Sequence, residues 1–287
     1  MIHLPSKALP PDLQATLQAL QETVDTAGNF IDQKAAAKAA WVSKSGATFQ
    51  SIRYELGELH RHGSICAYCE QNEEGDIEHI YPKSFYPEQA FVWENYLLAC
   101  KQCNSGYKLD ACHVIDEQGV VVKVPRGEQP PAFPLAFINP RHATQNQTEY
   151  ILLNTQTFEY EVFPGIGTKE AKVAESTLSI LKLNNRDALK QGRKETAQAL
   201  FSLMQSLVQQ IEAESTERLR SLLSPYDDRL DFSKPLKELK LELIEGRKVF
   251  IQSHRHPSVW RAIQLVDSKV NPRWKQLFDK LPEALAW

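Results

Sequence analysis

Leu13, Leu17, Leu20 and Val24 recur every three or four residues, the spacing of one face of an α-helix. Pro10-Pro11-Asp12 opens that helix, since proline fits a first turn, and Gly28-Asn29 breaks it. A second, alanine-rich helix is predicted over about residues 30–42, ended by Lys44-Ser45-Gly46. A third covers about residues 48–61, on the stripe Ile52, Leu56, Leu59. These three helices read as scaffold with no chemistry of their own. The period then changes. Residues 76–81 read as a strand with Ile77 and Ile80 inward, stopped by Pro82. Residues 85–93 form an aromatic-rich loop, and Leu97 and Leu98 lead into a short helix over about residues 100–108. Gly106 keeps that helix brief, and Asn104 and Lys108 share one face of it.

Two hairpins are expected next, over residues 113–124 and 150–163, with turns near Glu117-Gln118-Gly119 and Asn154-Thr155-Gln156. The alternation Phe158, Tyr160, Val162 supports the second. The proline-rich run 125–134 between them reads as an extended linker. After the break Pro164-Gly165-Ile166-Gly167, four helices are predicted over about residues 169–181, 186–223, 234–255 and 257–281, with Met204 and the leucine stripe of the longest in the core. The fold class is α+β: a mainly helical protein with a small embedded unit and one or two β-hairpins. The expected segments are a helical one (1–62), a compact core (63–112), a hairpin and linker region (113–167) and a helical region (168–287).

With 42% apolar and 24% charged residues, the chain has the balance of an ordinary soluble globular protein. A net charge of −3 argues against unaided tight binding to nucleic acid, since free-standing binders are often basic. One stretch departs from that balance. Residues 234–280 carry 11 Lys/Arg against 5 Asp/Glu, which is either a solvated face or a track for phosphate or an acidic partner. The first residues lack the apolar run of a signal peptide, and no window is apolar enough to span a membrane. A cytoplasmic protein with no membrane contact is therefore expected.

Four of the five cysteines form two Cys-x-x-Cys pairs, Cys66/Cys69 and Cys100/Cys103. Two such pairs complete a tetrahedral four-thiolate zinc site, with Zn–S near roughly 2.3 Å. Cys112 is left over, as a free and partly buried thiol. The 30 residues between the pairs exceed what a plain zinc ribbon needs, and they contain Glu78-His79. Zinc here acts as a staple around a small unit.

Glu78-His79-Ile80-x-Pro82, then Asn95, then Cys100-x-x-Cys103-Asn104-x-x-x-Lys108, resembles the HNH endonuclease core of the ββα-metal type. The run 93–104 is similar to that of HNH nucleases in prokaryotic antiphage systems, the PtuB type of the Septu system and its retron-associated relatives. A weaker likeness extends over Phe137-Ile138-Asn139-Pro140-Arg141 and Leu181-x-Leu183-Asn184. Glu78 stands where Asp is commoner, and Asn104 where many relatives carry His, which bears on metal preference and rate.

Cutting a phosphodiester requires a deprotonated water and a cation against the phosphate. His79 suits the general base, and Glu78 supplies a hard oxygen for Mg²⁺ or Mn²⁺. The resemblance adds Asn104 as the second ligand of that ion and Asn95 as the residue orienting the loop around His79. Lys83 and Lys108 are candidate phosphate contacts, or ordinary solvated lysines. His60-Arg61-His62 is a solvated helix end or a phosphate contact, and Asn139-Pro140-Arg141 a structural turn or a contact with substrate or partner. The resemblance implies a metal-dependent nuclease, duplex DNA first as substrate, and an ATPase partner of the PtuA type. An RNase with the same site, for example one cutting tRNA, and a non-catalytic zinc-stapled adaptor are the alternatives.

Overall fold

Pro11 at the first helical position and Asn29, whose Oδ1 accepts the backbone N–H groups of Ile31 and Asp32, start the first two helices of the chain. These are α1 (Pro11–Asp25) and α2 (Phe30–Ser43), followed by α3 (Gly46–Leu59). The structure, a computed structural model, describes residue 1 and residues 3–59, 65–71, 75–142, 149–224 and 230–287. His60-Arg61-His62 lies outside the described residues. Two compact units are present: Met1–Leu152 with Glu159–Leu189, and Leu153–Phe158 with Lys190–Trp287.

The first unit holds the embedded core. Strands β1 (Asp76–His79) and β2 (Tyr96–Ala99) pair antiparallel, with Asp76 opposite Ala99 and His79 opposite Tyr96. A helical turn, Gln102–Lys108, completes a ββα order. It is wound wide, with Leu109 N–H donating to the Asn104 carbonyl five residues back at 2.7 Å. Gly75 leads into β1, where a Cβ would stand 2.9 Å from the backbone nitrogen of Ala99. All four side chains of β2 are buried, so the apolar run past Asn95 is a strand, not merely a lead-in to the second cysteine pair. Ile80 is buried as expected, but Ile77 is only half-buried and faces a cleft. The aromatic loop contains two single turns of 3₁₀-helix, Pro87–Gln89 and Trp93–Asn95.

The amino-terminal helices close over this core. α1 and α2 pack on each other and on the turn Pro87–Gln89, and α3 packs on β2. Leu17, Ile52, Leu56, Phe91, Trp93 and Tyr96 are buried together in this unit. Each such side chain contributes about 1.5–3 kcal/mol by leaving water. Gln21 of α1 stitches the loop with both ends of its amide, donating to the Pro87 carbonyl at 3.2 Å and accepting from Phe91 N–H at 2.8 Å.

The two hairpins are present as β3 (His113–Ile115) with β4 (Val121–Lys123) and β5 (Ile151–Leu153) with β6 (Tyr160–Val162). The proline-rich run is not a free linker at its far end. Ile115 N–H donates to the Pro134 carbonyl and Ala136 N–H to that of His113, pinning it beside β3. Helix α4 (Thr168–Leu181) also belongs to the first unit.

The expected helix over 186–223 is two: α5 (Asp187–Ile211) and α6 (Thr216–Ser221), restarted by Ser215, whose hydroxyl accepts from Arg218 N–H. Helix α7 (Leu236–Gln252) matches its expectation closely. The last predicted helix is broken into α8 (Pro257–Ala262), a wide turn Ile263–Asp267, α9 (Ser268–Val270) and α10 (Pro272–Lys280), because Asn271 caps and Pro272 opens a new start. Trp260, Trp274 and Phe278 form an aromatic core in the second unit, and Met204 is buried as expected. No helix of the described residues is long and apolar enough to cross a membrane.

Candidate active site and metal centre

The two cysteine pairs meet because each flanks a strand of the same hairpin. Ala67 N–H donates to the Leu98 carbonyl at 3.0 Å, tying the first pair to β2, and Glu70 N–H closes its turn onto the Cys66 carbonyl at 2.9 Å. Glu70 adopts left-handed backbone, and its carboxylate pairs with the amino group of Met1. Cys66, Cys69, Cys100 and Cys103 are buried, with all four sulfurs within 4.8 Å of one another. Cys69 and Cys100 are 3.8 Å apart. A tetrahedron with Zn–S of roughly 2.3 Å has an edge of about 3.8 Å, so the thiol cage has the size for zinc. The neighbouring thiols push Cys69 down, and Cys100 down to about 6, while burial pushes Cys66 up. The four cysteines are positioned to bind a metal.

The far end of β1 carries the acid–His pair. Glu78 and His79 are 4% and 5% exposed, yet both line a cleft of 760 Å³ that also takes in Lys83, Asn104 and Trp41. His79 Nε2 lies 2.9 Å from the Ala90 carbonyl. A carbonyl only accepts, so Nε2 carries the hydrogen. Burial, then the charge of Lys83, hold the imidazole pKa well below its usual value. The ring is therefore neutral near pH 7, and its basic lone pair is on Nδ1. Trp41 and the imidazole form a T-shaped pair, with ring centroids 4.5 Å apart, and Tyr96 lies at 5.1 Å.

Residues 66–108 match the family model of HNH endonucleases. The match spans both cysteine pairs, β1, β2 and the turn carrying Asn104. No curated protein and no solved structure matches the chain.

Within the HNH segment Asn95 is buried and its amide is fully used. Oδ1 accepts from Tyr81 N–H at 2.7 Å, and Nδ2 donates to the Tyr81 and Gln89 carbonyls at 3.0 and 2.7 Å. Those bonds clamp the chain just after His79 to the loop that carries Ala90. Asn104 is half-buried in the cleft wall. Two oxygen-bearing side chains, Glu78 and Asn104, thus reach one water-accessible cleft, a donor set that fits a hard divalent cation. Lys83 is half-buried in the same wall, its Nζ 5.1 Å from the Trp41 ring, and burial lowers its pKa.

Lys108 departs from the expected phosphate contact. Only 1% exposed, it turns inward, its ammonium 2.5 Å from Glu78 Oε1 and donating to the His79 carbonyl at 2.6 Å. Lys108 is thus held beneath β1, while Asn104 lines the cleft. Cys112 is buried rather than partly so, its thiol 3.8 Å from the Tyr86 hydroxyl.

In the stretches 137–141 and 181–184, Arg141 and Asn184 make backbone contacts within the first unit. Arg141 is buried and donates to the Trp93 and Tyr96 carbonyls at 3.0 Å each, holding the entry to β2. Asn184 brackets Tyr160 through that residue's backbone N–H and carbonyl, at 2.8 Å each. Arg186 was not anticipated: it donates to Cys103 Sγ at 3.2 Å and stacks over Tyr107.

Nor was the helical wall anticipated. Lys34, Lys38 and Trp41 of α2, Lys44 beyond it and Arg53 of α3 line the same cleft as Glu78 and His79. The spacing Lys34, Lys38, Trp41 is one helix face, the signal that would have found them. The basic excess over 234–280 is partly neutralised locally, with Lys234, Lys248, Arg255 and Lys280 each paired to a carboxylate.

Proposed function

We propose that the chain is a metal-dependent endonuclease hydrolysing phosphodiester bonds of nucleic acid, with His79 as general base. The observation that carries this reading is that Glu78, His79 and Asn104 line one cleft with an imidazole that is neutral and holds its free lone pair on Nδ1. That nitrogen takes the proton of a water aimed at phosphorus. Asn95 fixes the loop that fixes the imidazole, through the Ala90 carbonyl and the clamp at Gln89. Glu78 and Asn104 would hold a Mg²⁺ or Mn²⁺ ion, which when bound offsets charge building on the phosphate. Lys83 contacts the phosphate from the cleft wall, while Lys108 orients Glu78. The four cysteines would hold zinc as a structural staple, separate from the chemistry.

Duplex DNA as the first substrate, a role as antiphage effector and an ATPase partner of the PtuA type are further parts of this proposal. They rest on the motif likeness in residues 66–108 and on a net charge of −3, which suits a nuclease delivered to its substrate. The test is purified protein, with and without the partner, incubated with plasmid and with total RNA in Mg²⁺, beside His79→Ala. General-base loss costs about 10²–10⁴ in rate. Equal cutting by wild type and His79→Ala refutes the mechanism. Cutting of RNA alone moves the substrate to RNA, and cutting of neither leaves the zinc-stapled adaptor.

A further inference from the structure

The basic wall contributed by α2 lies outside the HNH segment, and no step of the mechanism above uses it. Lys34 is half-buried and Lys38 exposed, and both side chains line the cleft that holds Glu78 and His79. Among the described residues neither forms an ion pair. Two like charges one turn apart oppose helix formation, and the one carboxylate of α2, Asp32, stands two and six residues from them, at neither pairing distance. They are not a by-product of a basic protein, because the whole chain is net acidic. The cleft nevertheless gathers six Lys/Arg side chains against three carboxylates, Asp76, Glu78 and Asp110. One of those carboxylates is already taken by Arg126, at 2.8 Å from Asp110. Another, Glu78, is taken by Lys108.

Lys44 shows how the wall is held. Its ammonium donates to the Trp41 carbonyl at 2.8 Å and sits 4.3 Å from the Trp41 ring centroid, while the same indole packs against His79 in a T-shaped pair. The face bearing Lys34 and Lys38 is therefore fixed relative to the imidazole through Trp41. Positive charge of Lys34 and Lys38, without an ion pair among the described residues, beside the candidate general base suits one chemistry, the repeating phosphates of a nucleic-acid backbone.

We infer that Lys34 and Lys38 of α2 bind backbone phosphates of the same nucleic acid whose scissile bond reaches His79. The inference deepens the nuclease reading and rests on it for the identity of the ligand. It assigns to the amino-terminal helices the positioning of substrate rather than scaffolding alone, and it predicts sequence-independent contacts.

The test is Lys34→Gln/Lys38→Gln, with Lys38→Gln alone as the milder variant at an exposed position. Gln keeps helix propensity and removes only charge, so zinc content and the melting temperature should not fall. Binding is read without added Mg²⁺, so that nothing is cut, by anisotropy of a fluorescein-labelled DNA duplex, the matching single strand and an RNA of the same length, over a salt series. Losing two phosphate contacts flattens the slope of log K against log salt by about 1.8 on a duplex, equivalent to about 60-fold weaker binding at about 0.1 M salt. The single variant should show about half that change in slope. Where cutting is measured, KM rises and kcat at saturation is retained.

Equal affinity and equal slope in wild type and double variant overturn the inference. So does a wild type that binds none of the three probes. If wild type binds, the double variant loses binding as described, and neither protein cuts anything in Mg²⁺, the nuclease reading fails and the phosphate-binding wall stands.

Discussion

Lys108→Met tests the buried pair beneath the candidate site. Methionine keeps much of the length and apolar volume of the stem, so the change removes mainly the ammonium. In wild type that ammonium sits 2.5 Å from Glu78 Oε1 and 2.6 Å from the His79 carbonyl, with both side chains almost wholly out of water. Removing one partner of a buried pair leaves the other charge uncompensated, at a cost of about 3–5 kcal/mol. The pair lies in the first unit, 152 plus 31 residues long. For that size 1 kcal/mol corresponds to ~2–4 °C, so zinc-loaded Lys108→Met should melt about 6–20 °C below wild type.

A second readout distinguishes a metal-facing carboxylate from a merely structural one. In wild type a divalent cation must share Glu78 with the ammonium, whereas in the variant it meets the carboxylate alone. Saturating Mg²⁺ should therefore raise the melt of the variant more than that of wild type, by up to about 2.7 kcal/mol at 100-fold excess over Kd. Calorimetry of both proteins across a Mg²⁺ titration measures both effects. A variant melting within about 1 kcal/mol of wild type, and unmoved by Mg²⁺, would refute both the energetic weight of the pair and the assignment of Glu78 as a metal ligand.

Cys69→Ser should lose zinc and stability together, because metal binding is coupled to folding; full zinc occupancy with an unchanged melt, by metal analysis and calorimetry, would count against the staple. Arg186→Gln removes the donor on Cys103 Sγ and should speed zinc loss to a chelator while leaving the strand pair intact, read by a colorimetric zinc indicator. The imidazole of His79 is held below its usual pKa of about 6.5 by burial, so the acid limb of kcat/KM should fall below that pH. The same depression makes a linkage prediction: stability from this group is full above about pH 6.5 and is lost as pH falls towards the folded-state pKa, which pH-dependent melts of wild type and His79→Gln would reveal by difference.

The parts of the site that sequence shows directly are those whose chemistry is local. Cys-x-x-Cys spacing states its own ligand set, and Glu78-His79 sits within a few residues of the proline that ends its strand. β2 was hidden for a physical reason. Tyr96–Ala99 is buried on both faces, so it lacks the alternation that marks a half-exposed strand, and its four residues read equally as an approach to the next turn. Lys108 reads as an exposed lysine in the sequence, because the partners that bury it, the Glu78 carboxylate and the His79 carbonyl, lie about thirty residues away in the chain. The break between α5 and α6 was legible, since Ser215 is a good cap three residues before Arg218, but the apolar stripe on either side outweighed it.

The α2 wall was hidden in another way, and the reason bears on what surrounds the HNH segment. Lys34, Lys38 and Trp41 are some forty residues from His79 in the chain, and what brings them to it is packing against a loop of single turns. Phe91 is held by Gln21, Trp93 Nε1 donates to the Lys7 carbonyl at 2.7 Å, and the indole of Trp41 lies on His79. A ββα unit of 43 residues is too small to bury its own aromatic loop. The helices that supply the missing core therefore necessarily present their outer residues beside the cleft. Once α1, α2 and α3 are needed to cover Phe91, Trp93 and Tyr96, charge placed on α2 acts on whatever enters the cleft. Under the proposed phosphate binding, scaffold and substrate surface are the same helix, and the like-charged pair Lys34 and Lys38 is the mark of the second role.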